Sequence, residues 1–286
     1  AGTVPIFGFR SGMGPTQDST PTREVVRMPV IEVKHGTFGW IDVMTTDASV
    51  AVPFYEKVFG WTTQEVPGGP GPYKMFFKGD SPAAGLGEMN DEMKAQGAPP
   101  AWNSYIEVDD VDARTARAAE LGGTIIVPPM DAGEHGRMSV IIDPAGAHVS
   151  LWQSSAETNE GSYNEPGLLT WNEHVSRDPG AAREFYSELL GWSWDEMDMP
   201  QGTYWVIMNG DRPNGGLMGM TDEWPAEVPA HWMVYIGSDD VDASAEAVKS
   251  AGGQISVGPM DISVGRFCVA LDPTGAAFTI FKGGDM

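Results

Sequence analysis

The chain has 286 residues, 41% hydrophobic and 10% aromatic, enough length and apolar content for about two domains with cores of their own. A formal net charge of −23 repels nucleic acid and anionic lipid, so neither is expected as a partner. No apolar run approaches the ~18 residues of a membrane span, and the start lacks the basic and apolar blocks of a signal peptide. The single cysteine, Cys268, permits no intrachain disulfide, and a reducing, cytoplasmic setting is expected.

Residues 1–35 form an extension that begins loop-like and ends in "REVVRMPVIEVK", a stretch expected to add an edge strand, to cover an apolar opening, or to be a disordered leader. From Trp40, the alternation of Trp40, Asp42 and Met44 with Ile41 and Val43 predicts a strand. Asp47 is a fit N-cap for a helix ending at Gly60, with Pro53 inside it predicting a kink. Strands are predicted over 73–78 and 83–89, then over 102–108. A helix capped by Asp110 follows, then strands near 124–128, 136–142 and 147–153. The polar, turn-rich segment 155–165 predicts a linker.

Beyond the linker the same plan is written again. "WIDVMTTDASVAVPFYEKVFGW" from Trp40 aligns without a gap on "WNEHVSRDPGAAREFYSELLGW" from Trp171, and "WNSYIEVDDVDA" on "WMVYIGSDDVDA". "GRMSVIIDPAGAHVSLW" aligns on "GRFCVALDPTGAAFTIF". Repetition at this length predicts two homologous domains, 36–154 and 166–286. Each domain is predicted to hold two modules of strand, helix and three strands. The shared "DDVDA", "DPxGA" and "GR" motifs resemble the vicinal oxygen chelate superfamily of glyoxalases, bleomycin-resistance proteins and extradiol dioxygenases, and the two-domain glyoxalase-like proteins of actinobacteria among them. The resemblance implies an α+β fold in which paired βαβββ modules form curled mixed sheets around a ligand-binding cup.

It also implies places for metal ligands: the first strand of each module, and seven residues past the "DPxG" aspartate. Those places hold Trp40, Asn103 and Ser150 in the first repeat, and Trp171, Met233 and Thr279 in the second. A divalent ion in this family needs imidazole and carboxylate donors, and these are not among them. A further carboxylate position is matched only by Glu88, whose counterpart is Gly219. No metal and no other cofactor is expected.

Alternation places Asp42 beside Trp40, and Glu173 beside Trp171, on the cup side. A carboxylate against apolar walls can act as acid or base, or hold a cation; a structural hydrogen bond is the plainer role. His148, Ser150 and Trp152 share a face of the last strand of repeat one, with His148 a candidate base or ligand hydrogen-bond donor; a partly exposed histidine with no chemical role is the plainer reading. Asn103 with Tyr105, and Met233 with Tyr235, are expected on the facing strands. His174 is expected to face the helices. Tyr73 and Tyr204 recur and suit core or ligand shelf equally. Arg137 and Arg266 suit pairing with surface acids.

The candidate catalytic residues are therefore Asp42, Glu173 and His148. The expected ligand surface comprises Trp40, Asp42, Asn103, Tyr105, His148, Ser150 and Trp152 in one cup, and Trp171, Glu173, Met233, Tyr235 and Thr279 in the other. The expected function is metal-independent binding of an aromatic or polyketide-like small molecule, cationic ligands being favoured, for sequestration or to assist a partner oxygenase. The alternative is a glyoxalase-like lyase, isomerase or hydroxylase-type enzyme using cup acids or His148. A third is a scaffold whose cups have filled in.

Overall fold

The local signals of each half build the same elements in the same order. The computed structural model describes residues 31–66, 72–155, 160–161, 163–199 and 202–284. After the two-residue β1 (Ile31–Glu32), the first half runs β2 (Phe38–Thr45), α1 (Ala48–Phe59), β3 (Thr62–Val66), β4 (Tyr73–Lys78) and β5 (Ser81–Glu88). A short α2 (Asp91–Ala95) leads to β6 (Ala101–Glu107), α3 (Val111–Glu120), β7 (Thr124–Asp131), β8 (Gly136–Ile142) and β9 (His148–Ser154). Past β10 (Glu160–Gly161), the second half repeats the plan. Its elements are β11 (Leu169–Ser176), α4 (Pro179–Leu190), β12 (Ser193–Met199), β13 (Gly202–Asn209), β14 (Arg212–Gly219), β15 (His231–Gly237), α5 (Val241–Ser250), β16 (Gln254–Ile262), β17 (Gly265–Leu271) and β18 (Ala277–Gly283).

Capping aspartates start the helices. Asp47 accepts from Ser49 N, and Asp110, Asp178 and Asp240 accept from the N–H three residues on. Gly60 and Gly191 end α1 and α4 in the left-handed region, at φ 65° and 74°. The helix α1 continues through Pro53: both Pro53 and Ser49 are exposed, so the carbonyl left without a donor faces water. The polar strands β3 and β12, which alternation did not reveal, are sheet edges, where few side chains need burial.

Each half forms one eight-stranded mixed sheet, in the order β3-β4-β5-β2-β6-β9-β8-β7 and β12-β13-β14-β11-β15-β18-β17-β16. This is the expected α+β architecture of two curled sheets. At the centre of each, two first strands pair antiparallel, setting Trp40 opposite Tyr105 and Asp42 opposite Asn103. In the second half Trp171 lies opposite Tyr235, and Glu173 opposite Met233. One sheet face carries Ile41 and Val43 into a core; the other carries Trp40 and Asp42 into the cup.

The cores are shared between the halves. Phe54, Tyr55 and Phe59 of α1 pack on Phe278 of β18, with ring centroids 6.2, 5.8 and 5.8 Å apart. In the reciprocal core Phe38 packs on Trp192 and Trp232, at 5.6 and 5.0 Å. Each such large apolar side chain removed from water contributes about 1.5–3 kcal/mol. Cys268 is buried in the first core, its thiol pushed up to about 11 by burial. The aspartates of the two "DPxG" turns are buried between the halves, each accepting a tyrosine hydroxyl at 2.9 Å: Tyr186 to Asp143 and Tyr55 to Asp272.

β1 pairs antiparallel with β10, so Ile31 and Glu32 do enter a strand, against the segment expected to link the halves. The remainder of the extension, residues 1–30, lies outside the described residues, as do 156–159 and 162 of the linker. Among the described residues no helix is long and apolar enough to cross a membrane.

Candidate functional site

The centre of the first cup is a carboxylate surrounded by side-chain donors. β2 carries Asp42 at 4% exposure in mid-strand, where the backbone N–H groups are committed to the sheet ladder. Its partners are therefore side chains. Asn103 Nδ2 donates to Oδ1 at 2.8 Å, and Tyr105 and Tyr73 donate to Oδ2 at 2.7 and 3.2 Å. Trp40 Nε1 donates to the Tyr73 hydroxyl at 3.0 Å, which ties the indole to the same network. Tyr73 reaches in from β4 because Gly85 has no side chain: a Cβ there would collide with the tyrosine hydroxyl. Burial raises the Asp42 carboxyl above its ordinary range, opposed by the bonds from Asn103, Tyr105 and Tyr73. Trp152 stands edge-on to Tyr105 at 6.4 Å, and Ser150 is buried opposite Tyr105 on β9.

The second cup repeats the design with substitutions. Trp171 Nε1 donates to Tyr204 at 3.0 Å, and Gly216 leaves the room that Tyr204 needs. Glu173 accepts from Tyr235 at Oε1, 2.9 Å. Burial raises its carboxyl too, opposed by Tyr235 and Tyr204. Met233 stands where the first cup has Asn103 and cannot donate. Thr279 lies opposite Tyr235, fully buried, and Phe281 stands edge-on to Tyr235 at 6.2 Å.

Tyr73 and Tyr204, absent from the expected ligand surface, thus belong to the centre of each cup. Their signal was present as a repeated tyrosine on the strand before a repeated glycine, but only the sheet order, which sets that tyrosine two strands from the carboxylate, brings the hydroxyl to it. His148 stands apart from these groups. It lies at the exposed start of β9, opposite Ile142, and takes no part in the network around Asp42. At His148 the strand β9 is paired with β8, while its register with β6 begins at Ser150, so matching parity with Ser150 does not by itself place the histidine beside Asp42.

His174 faces the helices as expected. There it is fully buried, with Nε2 2.8 Å from Asp143 Oδ2 and its ring edge-on to Trp232 at 5.0 Å. Arg137 pairs with Asp112 and Asp131, and Arg266 with Asp242 and Asp261.

A divalent metal does not fit these cups. Glu88 is in register with Thr45, an odd number of residues from the Asp42–Gly85 pair, so it faces the helix side. It accepts from Ala48 N at 3.4 Å and pairs with Lys94 at 3.0 Å. Each cup centre then has one carboxylate among hydroxyl and indole groups that are poor ligands for Zn, Fe or Mn. Among the described residues no three His, Cys, Asp or Glu side chains gather in a metal-holding group.

A model of the glyoxalase/bleomycin resistance protein/dioxygenase superfamily matches residues 37–151, and a glyoxalase-like domain model matches residues 173–281. The chain is 42% identical over 256 residues to a Mycobacterium bovis protein provisionally named glyoxylase CFP32, spanning 88% of this chain and 96% of that one. It is 33% identical over 263 residues to the anthracycline biosynthesis protein DnrV of Streptomyces peucetius, spanning 86% and 93%. Among solved structures, the Mn(II)-bound glyoxalase of Novosphingobium aromaticivorans shares the fold at TM-score 0.61 and 14% identity, covering 88% of this chain and 83% of that one. The dioxygenase LapB of Pseudomonas sp. KL28 does so at TM-score 0.60 and 16% identity, covering 88% and 94%.

Proposed function

The chain belongs to the glyoxalase/bleomycin resistance protein/dioxygenase superfamily, and from that premise we propose that it binds an aromatic, polyketide-like small molecule in its cups without a metal. The observation that carries this reading is the Trp–Tyr–carboxylate–Tyr arrangement, built twice around the cup centre. Half-buried Trp40 and Trp171 offer faces for stacking, and the carboxylates offer acceptors for a ligand hydroxyl or amine. The net charge of −23 favours approach of a cation. The anthracycline role in the name of one relative supports an aromatic polyketide as the ligand class. Holding such a compound serves sequestration, or delivery to and from a partner oxygenase.

A second reading, acid–base catalysis, is favoured by the raised carboxyls of Asp42 and Glu173. On that reading each would exchange a proton with a ligand hydroxyl.

The test is a titration of chelator-treated protein with an amino-sugar-bearing anthracycline, followed by tryptophan fluorescence. Quenching with a dissociation constant on the order of micromolar, weaker at high salt, is expected. Binding that appears only after Zn, Fe or Mn is restored would overturn metal independence. Chemical conversion of the bound compound would move the catalytic reading to the front.

A further inference from the structure

We infer that the two cups are unequal by construction, and that the second is the one that takes a hydrogen-bond donor from the ligand, a phenolic hydroxyl received by Glu173. This rests on ligand binding in the cups as proposed above.

In the first cup both oxygens of Asp42 already have donors, Asn103 on Oδ1 and Tyr105 with Tyr73 on Oδ2. In the second cup the tyrosine at Oε1 remains, but the amide is replaced by the thioether of Met233. Tyr204 stands near enough to act on the Glu173 carboxyl, but the direct hydrogen bond that carboxyl accepts from the described residues is the one from Tyr235, against three for Asp42. The extra methylene of glutamate also gives this carboxylate more reach than Asp42. A mostly buried carboxylate with fewer donors than its counterpart gains more from a ligand O–H, so a ligand that supplies a further bond is selected.

Thr279 is a second, independent sign of incompleteness. It is fully buried on β18, opposite Tyr235, and its Oγ1 completes no hydrogen bond. Its hydroxyl lies close enough to Tyr235 to act on it. If Tyr235 shifts as a ligand engages Glu173, Thr279 supplies a waiting partner. Trp171, Met233, Tyr235 and Phe281, all half-buried, give the surrounding wall an apolar and aromatic character. A planar hydroxyaryl ketone matches both parts: rings for the wall and a phenol for the carboxylate.

The test uses emodin, a hydroxylated anthraquinone, and its trimethyl ether, which has the same rings and no phenolic donor. Calorimetry with the full chain is expected to give one emodin site per chain, with the ether at least about tenfold weaker. Glu173→Gln, and Met233→Asn, which brings to Glu173 the amide that Asp42 has, should each weaken emodin about tenfold or more. Asn103→Met should open Asp42 Oδ1 and raise the stoichiometry toward two. Thermal melts establish that each variant is folded, and the two second-cup variants act by different means, so failure of one to fold leaves the other. Two equal emodin sites in the wild type, or equal affinity for emodin and its ether, would overturn the inference while leaving aromatic binding intact. Failure of both compounds and of the anthracycline to bind would overturn the functional reading and this inference with it.

Discussion

Each sheet of this protein holds a buried carboxylate on either side, and the two sides treat it differently. On the cup side Asp42 and Glu173 sit in mid-strand; on the helix side Asp143 and Asp272 sit in the "DPxG" turns. Both sides use one vocabulary, a tyrosine hydroxyl on the carboxylate and a tryptophan N–H on the tyrosine. Trp102 donates to Tyr55 and Trp232 to Tyr186, each at 3.0 Å, as Trp40 does to Tyr73 in the cup. The turns add what strands cannot. Ala147 N donates to Asp143, while Thr274, Gly275 and Ala276 donate their N–H groups to Asp272. In mid-strand those groups belong to the ladder.

For Asp143, burial raises the carboxyl, but His174, the Ala147 N–H and Tyr186 outweigh it, and the net shift is downward. For the cup acids burial wins and the shift is upward. A turn carboxylate with backbone donors and a histidine serves as a structural tie. A strand carboxylate with side-chain donors alone is held at a stability cost, as binding and catalytic groups often are.

The largest effect that sharpens this contrast is expected at the turns. Asp143→Ala strands His174 and Tyr186 in a sealed core and should cost about 3–5 kcal/mol by urea denaturation. His174→Val, which copies Val43 at the matching place in the first half, should cost about 1–3 kcal/mol through the lost hydrogen bond. If Asp143→Ala proves as mild as a surface change, the turn aspartates are not ties.

The pH dependence should have opposite signs on the two sides. Asp143, lowered in the folded state, contributes stability that is complete above the ordinary aspartate value of about 3.9 and is lost as pH falls through its lowered value. Asp42 and Glu173, raised in the folded state, make the protein most stable below their ordinary values, and that stability declines as pH rises toward the raised ones. Urea midpoints across a pH series should show Asp143→Asn losing part of the acid limb, and Asp42→Asn removing part of the decline above it. The same slope in both variants would erase the contrast between cup and turn.

The smallest effect is expected at the exposed clusters of Arg137 and Arg266, whose partners are open to solvent. Arg137→Ala should leave the denaturation midpoint nearly unchanged in high salt, since exposed pairs are screened.

Much of this was legible in the chain itself. Repetition of the stretches from Trp40 and Trp171 announced two matching halves, the capping aspartates placed the helices, and strand parity sent Asp42 and Glu173 to one face and His174 to the other. Those signals are local: they depend on residues within a turn or a strand. The edge strands β3 and β12 escaped because a polar edge needs no apolar alternation, and parity alone left the place of His148 open because it does not say how exposed a strand end is.

What only the tertiary structure decided is which distant groups meet. Tyr73 lies 31 residues from Asp42 and Tyr105 lies 63, and the sheet register alone delivers both hydroxyls to one oxygen. Tyr55 and Asp272 are 217 residues apart, joined because α1 of one half packs into the core of the other. The sequence by itself determined which residues could carry charge, cap a helix or face a cup. How many donors reach a buried carboxylate depended on neighbours that no local pattern encodes, because a hydrogen bond is set by positions in space and the chain reaches those positions only once both halves have packed.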